Sequence, residues 1–151
     1  MLEGLFQPLH LLLLVAVGFV FLIPGVFYLL TLQKALGRCS PQARTTSPES
    51  VWLMLIPLFN LIYHFILVIN IAKSLGNEFT RRGIPSADPE PGKSLGITMC
   101  VLDACSVIPV FGTLGALAGL VCWILYWVRI SDLSGIIATP FPPPQPSQSV
   151  G

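Results

Sequence analysis

Hydrophobic and polar positions do not alternate along this chain; they separate into long blocks, each with the length of a helix. Residues 9–32, "LHLLLLVAVGFVFLIPGVFYLLTL", form the first. The block is longer than a signal-peptide core, starts without Lys or Arg and ends without a small-x-small cleavage site, so it reads as a retained transmembrane helix. Pro24-Gly25 is expected to kink it, because proline removes a backbone donor. A polar loop with Lys34, Arg38 and Arg44 follows, and then "SPES" at 47–50. It offers Ser47 as an N-cap and Pro48 at the first helical position. The second block, 51–72, begins with Trp52 at an interfacial level, is expected to continue as helix to Phe79, and is stopped by Gly83 and Pro85.

After the turn-rich stretch "GIPSADPEPGK" at 83–93, the apolar tract Leu95–Val128 is about 34 residues, too long for one crossing. "VIPVFGT" at 107–113 supplies the break, which predicts helices over 94–108 and 111–130 joined as a tight hairpin. Trp123, Tyr126 and Trp127 precede Arg129, the pattern of an aromatic belt at a membrane exit. The predicted architecture is all-α: an integral membrane bundle of four transmembrane helices, 9–32, 51–72, 94–108 and 111–130, in one domain over 1–134. The tail, 135–151, is Pro-rich and expected to be extended or disordered. Ile-Pro recurs near a Phe at 23–27, 56–60 and 108–112. Pro24, Pro57 and Pro109 are therefore expected to mark helix breaks that let the chain bend or turn within the bilayer.

Composition supports the medium these blocks imply. The chain is 54% hydrophobic and 10% charged, with mean hydropathy +0.79, against about 25% charged for a soluble domain. Too little polar surface remains to cover the chain in water, and 151 residues are expected to form one compact bundle. The net charge of +1 carries no basic cluster dense enough for nucleic acid; Lys73, Arg81, Arg82 and Lys93 share their stretch with Glu78, Asp88 and Glu90. The four cysteines include no Cys-x-x-Cys, and Cys100, Cys105 and Cys122 fall in apolar runs. No disulfide framework, metal site or cofactor is expected.

Counting Lys and Arg near span ends, four spans with both termini inside place five charges inside and three outside. A second arrangement does better by charge: if 51–72 dips in and returns, or lies on the surface, both basic loops share one face. All eight basic residues are then cytoplasmic and the N-terminus lies outside. The length of 51–72 favours a crossing, so four spans with both termini inside is the expectation.

The second block carries polar residues on one face. At 100° per residue, Asn60, Tyr63, His64, Asn70, Ser74 and Glu78 fall within about 120° of each other. A buried amide or imidazole without a partner costs roughly 2–7 kcal/mol by transfer data, so this stripe is expected to face protein or a wet cavity rather than lipid. Asp103, in "CVLDACS", is the one carboxylate well inside an apolar run and, like most intramembrane acids, is expected to have a partner; His64 is the candidate. "GTLGALAG" at 112–119 holds Gly112, Gly115 and Gly119, a small-residue surface for close helix packing within the chain or against another subunit.

"SPESVWLMLIPLFNLIYHFILVINIAKSLGNEFTRRG", followed by "IPVFGTLGALAGLVCWILYWVRI", resembles a family of small uncharacterised bacterial multi-span membrane proteins, in some of which a similar module follows a cytoplasmic GYF-like domain. The resemblance implies four spans, an N-terminus inside and the bacterial inner membrane. It implies no catalytic residue. Motifs of hydrolases and metalloenzymes are missing, so an enzyme is not expected. Two functions fit: a structural or accessory membrane protein, whose partners are the lipid bilayer and other membrane subunits or a second copy of itself, or a small channel or transporter using the polar stripe.

Overall fold

The computed structural model describes residues 8–56, 58–106, 108 and 112–139, which form five helices and no strand. They are α1 (Pro8–Arg38), a 3-10 helix (Pro48–Leu55), α2 (Phe59–Arg82), α3 (Lys93–Ser106) and α4 (Gly112–Ala138). Three of them, α1, α2 and α4, are long and apolar enough to cross a membrane, which points to a membrane protein. The expected breaks at Pro57 and Pro109, and the tail from residue 140, lie outside the described residues.

Several boundaries differ from the sequence expectation, each for a local reason. α1 runs through Pro24 and on to Arg38, so residues 33–38 are helix instead of loop: Leu32, Ala35 and Leu36 are buried there, and tertiary contact carries the helix past the end of its apolar block. The stretch 51–72 is not one helix. Ser47 stands at the N-cap position, without a capping bond from its side chain, and Pro48 opens a helix as expected, but it is of the tighter 3-10 kind and stops at Leu55. Ile56 is extended (φ −79°, ψ 112°), as a residue preceding proline tends to be, and Leu58 has φ 64°, a conformation that costs a leucine about 1–2 kcal/mol. α2 starts only beyond it and continues to Arg82, where Gly83 ends it in the left-handed region (φ 63°) with Ile84 N donating to Phe79 O at 2.9 Å. α3 ends two residues before the expected 108, and α4 passes the boundary at 134 to reach Ala138.

Side-chain pairs give the directions. Tyr28 of α1 meets His64 of α2, and Ser40 just past α1 meets Glu78 of α2. Thr31 and Arg38 of α1 meet Trp127 and Ser134 of α4. The three long helices therefore run parallel. Between α1 and α2 the chain doubles back: Asn77 bonds Ala43, Thr45 bonds Ser74 and the Asn70 carbonyl, and Trp52 Nε1 donates to Gln33 Oε1 at 3.1 Å. The 3-10 helix thus runs antiparallel to α1 and α2. α3 likewise runs antiparallel to α4, with Gly96 against Tyr126 and Ser106 against Gly115. α3 has 14 residues, about 21 Å of helix, against roughly 30 Å of hydrocarbon. Three long helices point one way and two short elements bring the chain back, so three helices of spanning length, not four, are seen among the described residues.

The core sits in the C-terminal halves of α1 and α4 and the middle of α2, around Leu32, Leu67, Ile71, Leu75, Tyr126 and Ile130. In α1, every described side chain from Pro8 to Ile23 is exposed, and nearly all are apolar.

Candidate functional site: a polar cleft beside the core

The aromatic residues divide the molecule into two ends. Trp52 and Trp127 donate to Gln33 and Thr31 of α1, which sets both indoles at one level. All eight Lys and Arg lie on the side of that level toward the C-termini of α1, α2 and α4. On the other side, Asp103 is the only Asp, Glu, Lys or Arg among the described residues.

The charged end is tightly bonded. Glu78, with no exposed side-chain surface, accepts from Ser40 N (2.9 Å), Ser40 Oγ (2.6 Å) and Arg82 Nε (2.5 Å), and from Arg81 at 3.2 Å. Arg38 Nη1 donates to Ser134 O and Oγ at 2.8 Å, and Arg82 Nη1 to Ile137 O at 2.7 Å. α4 has no basic residue in its own last turn; its orphan carbonyls and negative dipole end are met by cations from α1 and α2. Cys39 is buried beneath this cap, where burial and the Glu78 carboxylate push its thiol up to about 11.

The stripe on α2 is accordingly split. Ser74 is buried and bonds Thr45, Asn70 offers its carbonyl to Thr45, and both belong to the cap. Tyr63 stacks on Phe59, ring centroids 5.1 Å apart. Of the stripe, only Asn60 and His64 line a cavity together with Asp103. Two adjoining cavities, of about 270 and 560 Å³, share Met54, Leu55, Asn60, His64 and Asp103 as walls. Leu22, Gly25, Val26, Tyr28, Leu29 and Trp123 complete the smaller one. Leu58, Leu61 and Cys100 complete the larger.

His64 does share a cavity with Asp103, as the sequence suggests, but its hydrogen bond goes elsewhere: its Nε2 pairs with the Tyr28 hydroxyl at 3.0 Å. Tyr28 is the residue sequence reasoning missed. Its signal in the sequence is a hydroxyl inside the first apolar block. The Asp103 carboxylate forms no hydrogen bond or salt bridge among the described residues, and Asn60 Oδ1 is shut off from solvent with no partner. Gly119 makes room for the acid, since a Cβ there would lie 2.5 Å from Asp103 Oδ1. Gly112 and Gly115 face Ser106, so the small-residue surface is occupied by α3.

On the side of the charged end lie Leu67, Ile71, Met99 and Tyr126, all fully buried. Its mouth is flanked by the exposed apolar side chains of Leu22, Leu55, Leu58 and Leu61. No three His, Cys, Asp or Glu converge among the described residues. No family model, curated protein or solved structure matches the chain.

Proposed function

We propose that this chain is an accessory integral membrane protein that works by binding within the bilayer, not by conducting solutes across it. The observation carrying this reading is that polar groups converge on a cleft that has fully buried core, with no polar lining, on its charged side. A polar route from one face to the other finds no support in the N-terminal half of α1, whose described side chains are almost all apolar.

In this reading the Trp52–Trp127 level is one membrane interface. From Thr31 back to Pro8, α1 extends about 35 Å, enough for one full crossing with modest tilt. The 3-10 helix with α2, and α3 with α4, are two hairpins that enter from the same side. All eight basic residues then share the face that charge bias assigns to the cytoplasm, and the N-terminus lies opposite. The bacterial inner membrane, implied by the family resemblance, is the setting taken here. The exposed apolar faces of α1 and α4 are left to lipid or to helices of other membrane subunits.

Topology and transport are tested separately. Gln42→Cys and Ser86→Cys, both at exposed positions, are expected to react with an impermeant maleimide from the same, cytoplasmic side, whereas His10→Cys is not. The buried, high-pKa thiol of Cys39 leaves little background there. Labelling of positions 42 and 86 from opposite faces restores four alternating spans. In proteoliposomes, proton and monovalent-cation flux is expected to match protein-free vesicles for wild type, His64→Ala and Asp103→Asn. Wild-type flux above that background, lost in Asp103→Asn, makes the protein a transporter instead.

A further inference from the structure

The cleft is built for something that the protein itself does not supply. Asn60 Oδ1, buried without a partner, and the Asp103 carboxylate, which makes no hydrogen bond among the described residues, line one wall system with His64. Buried polar groups in native proteins nearly always have partners, and an acid facing hydrocarbon needs one most. Exposed leucines flank the mouth of the site, and fully buried core lies on its charged side. The natural donor is therefore a molecule already dissolved in the hydrocarbon.

We propose that the cleft formed by Asn60, His64 and Asp103 binds a lipophile with a small, phosphate-free head that donates hydrogen bonds, a long-chain alcohol or amine. The head sits between Asn60 and Asp103, and the tail leaves past Leu22 and Leu55. Size agrees: the two adjoining cavities, about 270 and 560 Å³, have room for a small head and a stretch of chain beside it. Charge excludes the common phospholipid head. Every Lys and Arg lies beyond the tryptophan level, so a phosphate in the cleft meets Asp103 with no cation beside it. This assignment rests on the binding reading given above and names its ligand class.

The test uses the full chain in nanodiscs and twelve-carbon probes with a diazirine near the head. The heads are a hydroxyl, an amine, a phosphate monoester or none. The hydroxyl and amine probes are expected to label residues 22–26 and 54–61 saturably, with competition by the unlabelled compound of the same head. The phosphate and headless probes are expected to label them at least about tenfold less. Asn60→Leu is expected to weaken labelling by about fivefold, the loss of one hydrogen bond in a dry site. Asp103→Asn, close in shape, is expected to keep the alcohol and lose the amine. Equal labelling by the headless probe, or labelling indifferent to both substitutions, overturns the assignment. Head-selective labelling together with ion flux keeps the ligand site and removes the accessory reading; background flux without head selectivity does the reverse.

Discussion

Alanine at Gly96 is expected to cost at least about 3 kcal/mol, the upper range for forcing a methyl into a packed core. The added Cβ falls on Val68 Cγ1 and within 2.7 Å of Tyr126 Cε2. Both neighbours are fully buried. Valine on a helix has one strongly preferred rotamer, and the Tyr126 ring lies against Tyr28 with centroids 6.4 Å apart, so neither can simply swing away. α3 has to move out of the groove between α2 and α4. The control is Gly37→Ala, where nothing lies within 4 Å of the new methyl. It should be neutral or stabilising by up to about 1 kcal/mol through helix propensity. Both are measured by SDS titration from a mild non-ionic micelle, following helical circular dichroism. Equal midpoints for the two variants mean that α3 does not seat where the structure puts it.

The second large effect is expected at Glu78. Glu78→Ala removes the acceptor for Ser40 N, Ser40 Oγ and Arg82 Nε, leaving the Arg82 guanidinium, only 22% exposed, without its counter-charge. The expected loss is about 2–4 kcal/mol, from stranded donors and an uncompensated, half-buried cation. Arg81 adds little, because half of its side chain is in solvent. Glu78→Gln keeps an acceptor for Ser40 and loses only the charge, so it should fall between wild type and alanine. The effect should reach beyond α2, since Arg82 also holds the last turn of α4 through Ile137 O. Proteolysis after Arg129 is accordingly expected to accelerate in Glu78→Ala. An unchanged unfolding midpoint rules out the carboxylate as the fastener of the charged end.

Much of this was open to a reader of the residues. Gly83 as a helix end, Ser47-Pro48 as a helix start and the grouping of Asn60 and His64 on one face follow from local rules, because capping and periodicity depend on a few neighbouring residues. The break between Leu55 and Phe59 was half visible. Ile-Pro announced it, but the length of 51–72 argued for a crossing, and length says nothing of a turn in the middle. The missing half was Leu58, whose positive φ no leucine advertises. Asp103 was recognised as an isolated acid, whereas the Tyr28–His64 pair was not, since two residues 36 positions apart meet only once α1 and α2 lie parallel. The roles of Arg38 and Arg82 in capping α4 were hidden for the same reason. α4 carries no sign in its own last turn that it borrows cations from elsewhere.

What the residues determine alone is the solvent and the element type: apolar blocks of helical length, with few charges, are stable only where backbone groups bond within each helix. What tertiary structure decided is direction and company. Whether an apolar run goes through or turns back, and which polar groups then stand side by side, depends on how the 3-10 helix and α3 retrace the bundle. That return is set by contacts between residues far apart in sequence, such as Thr45 with Ser74 and Trp52 with Gln33, and such contacts leave no periodic trace along the chain.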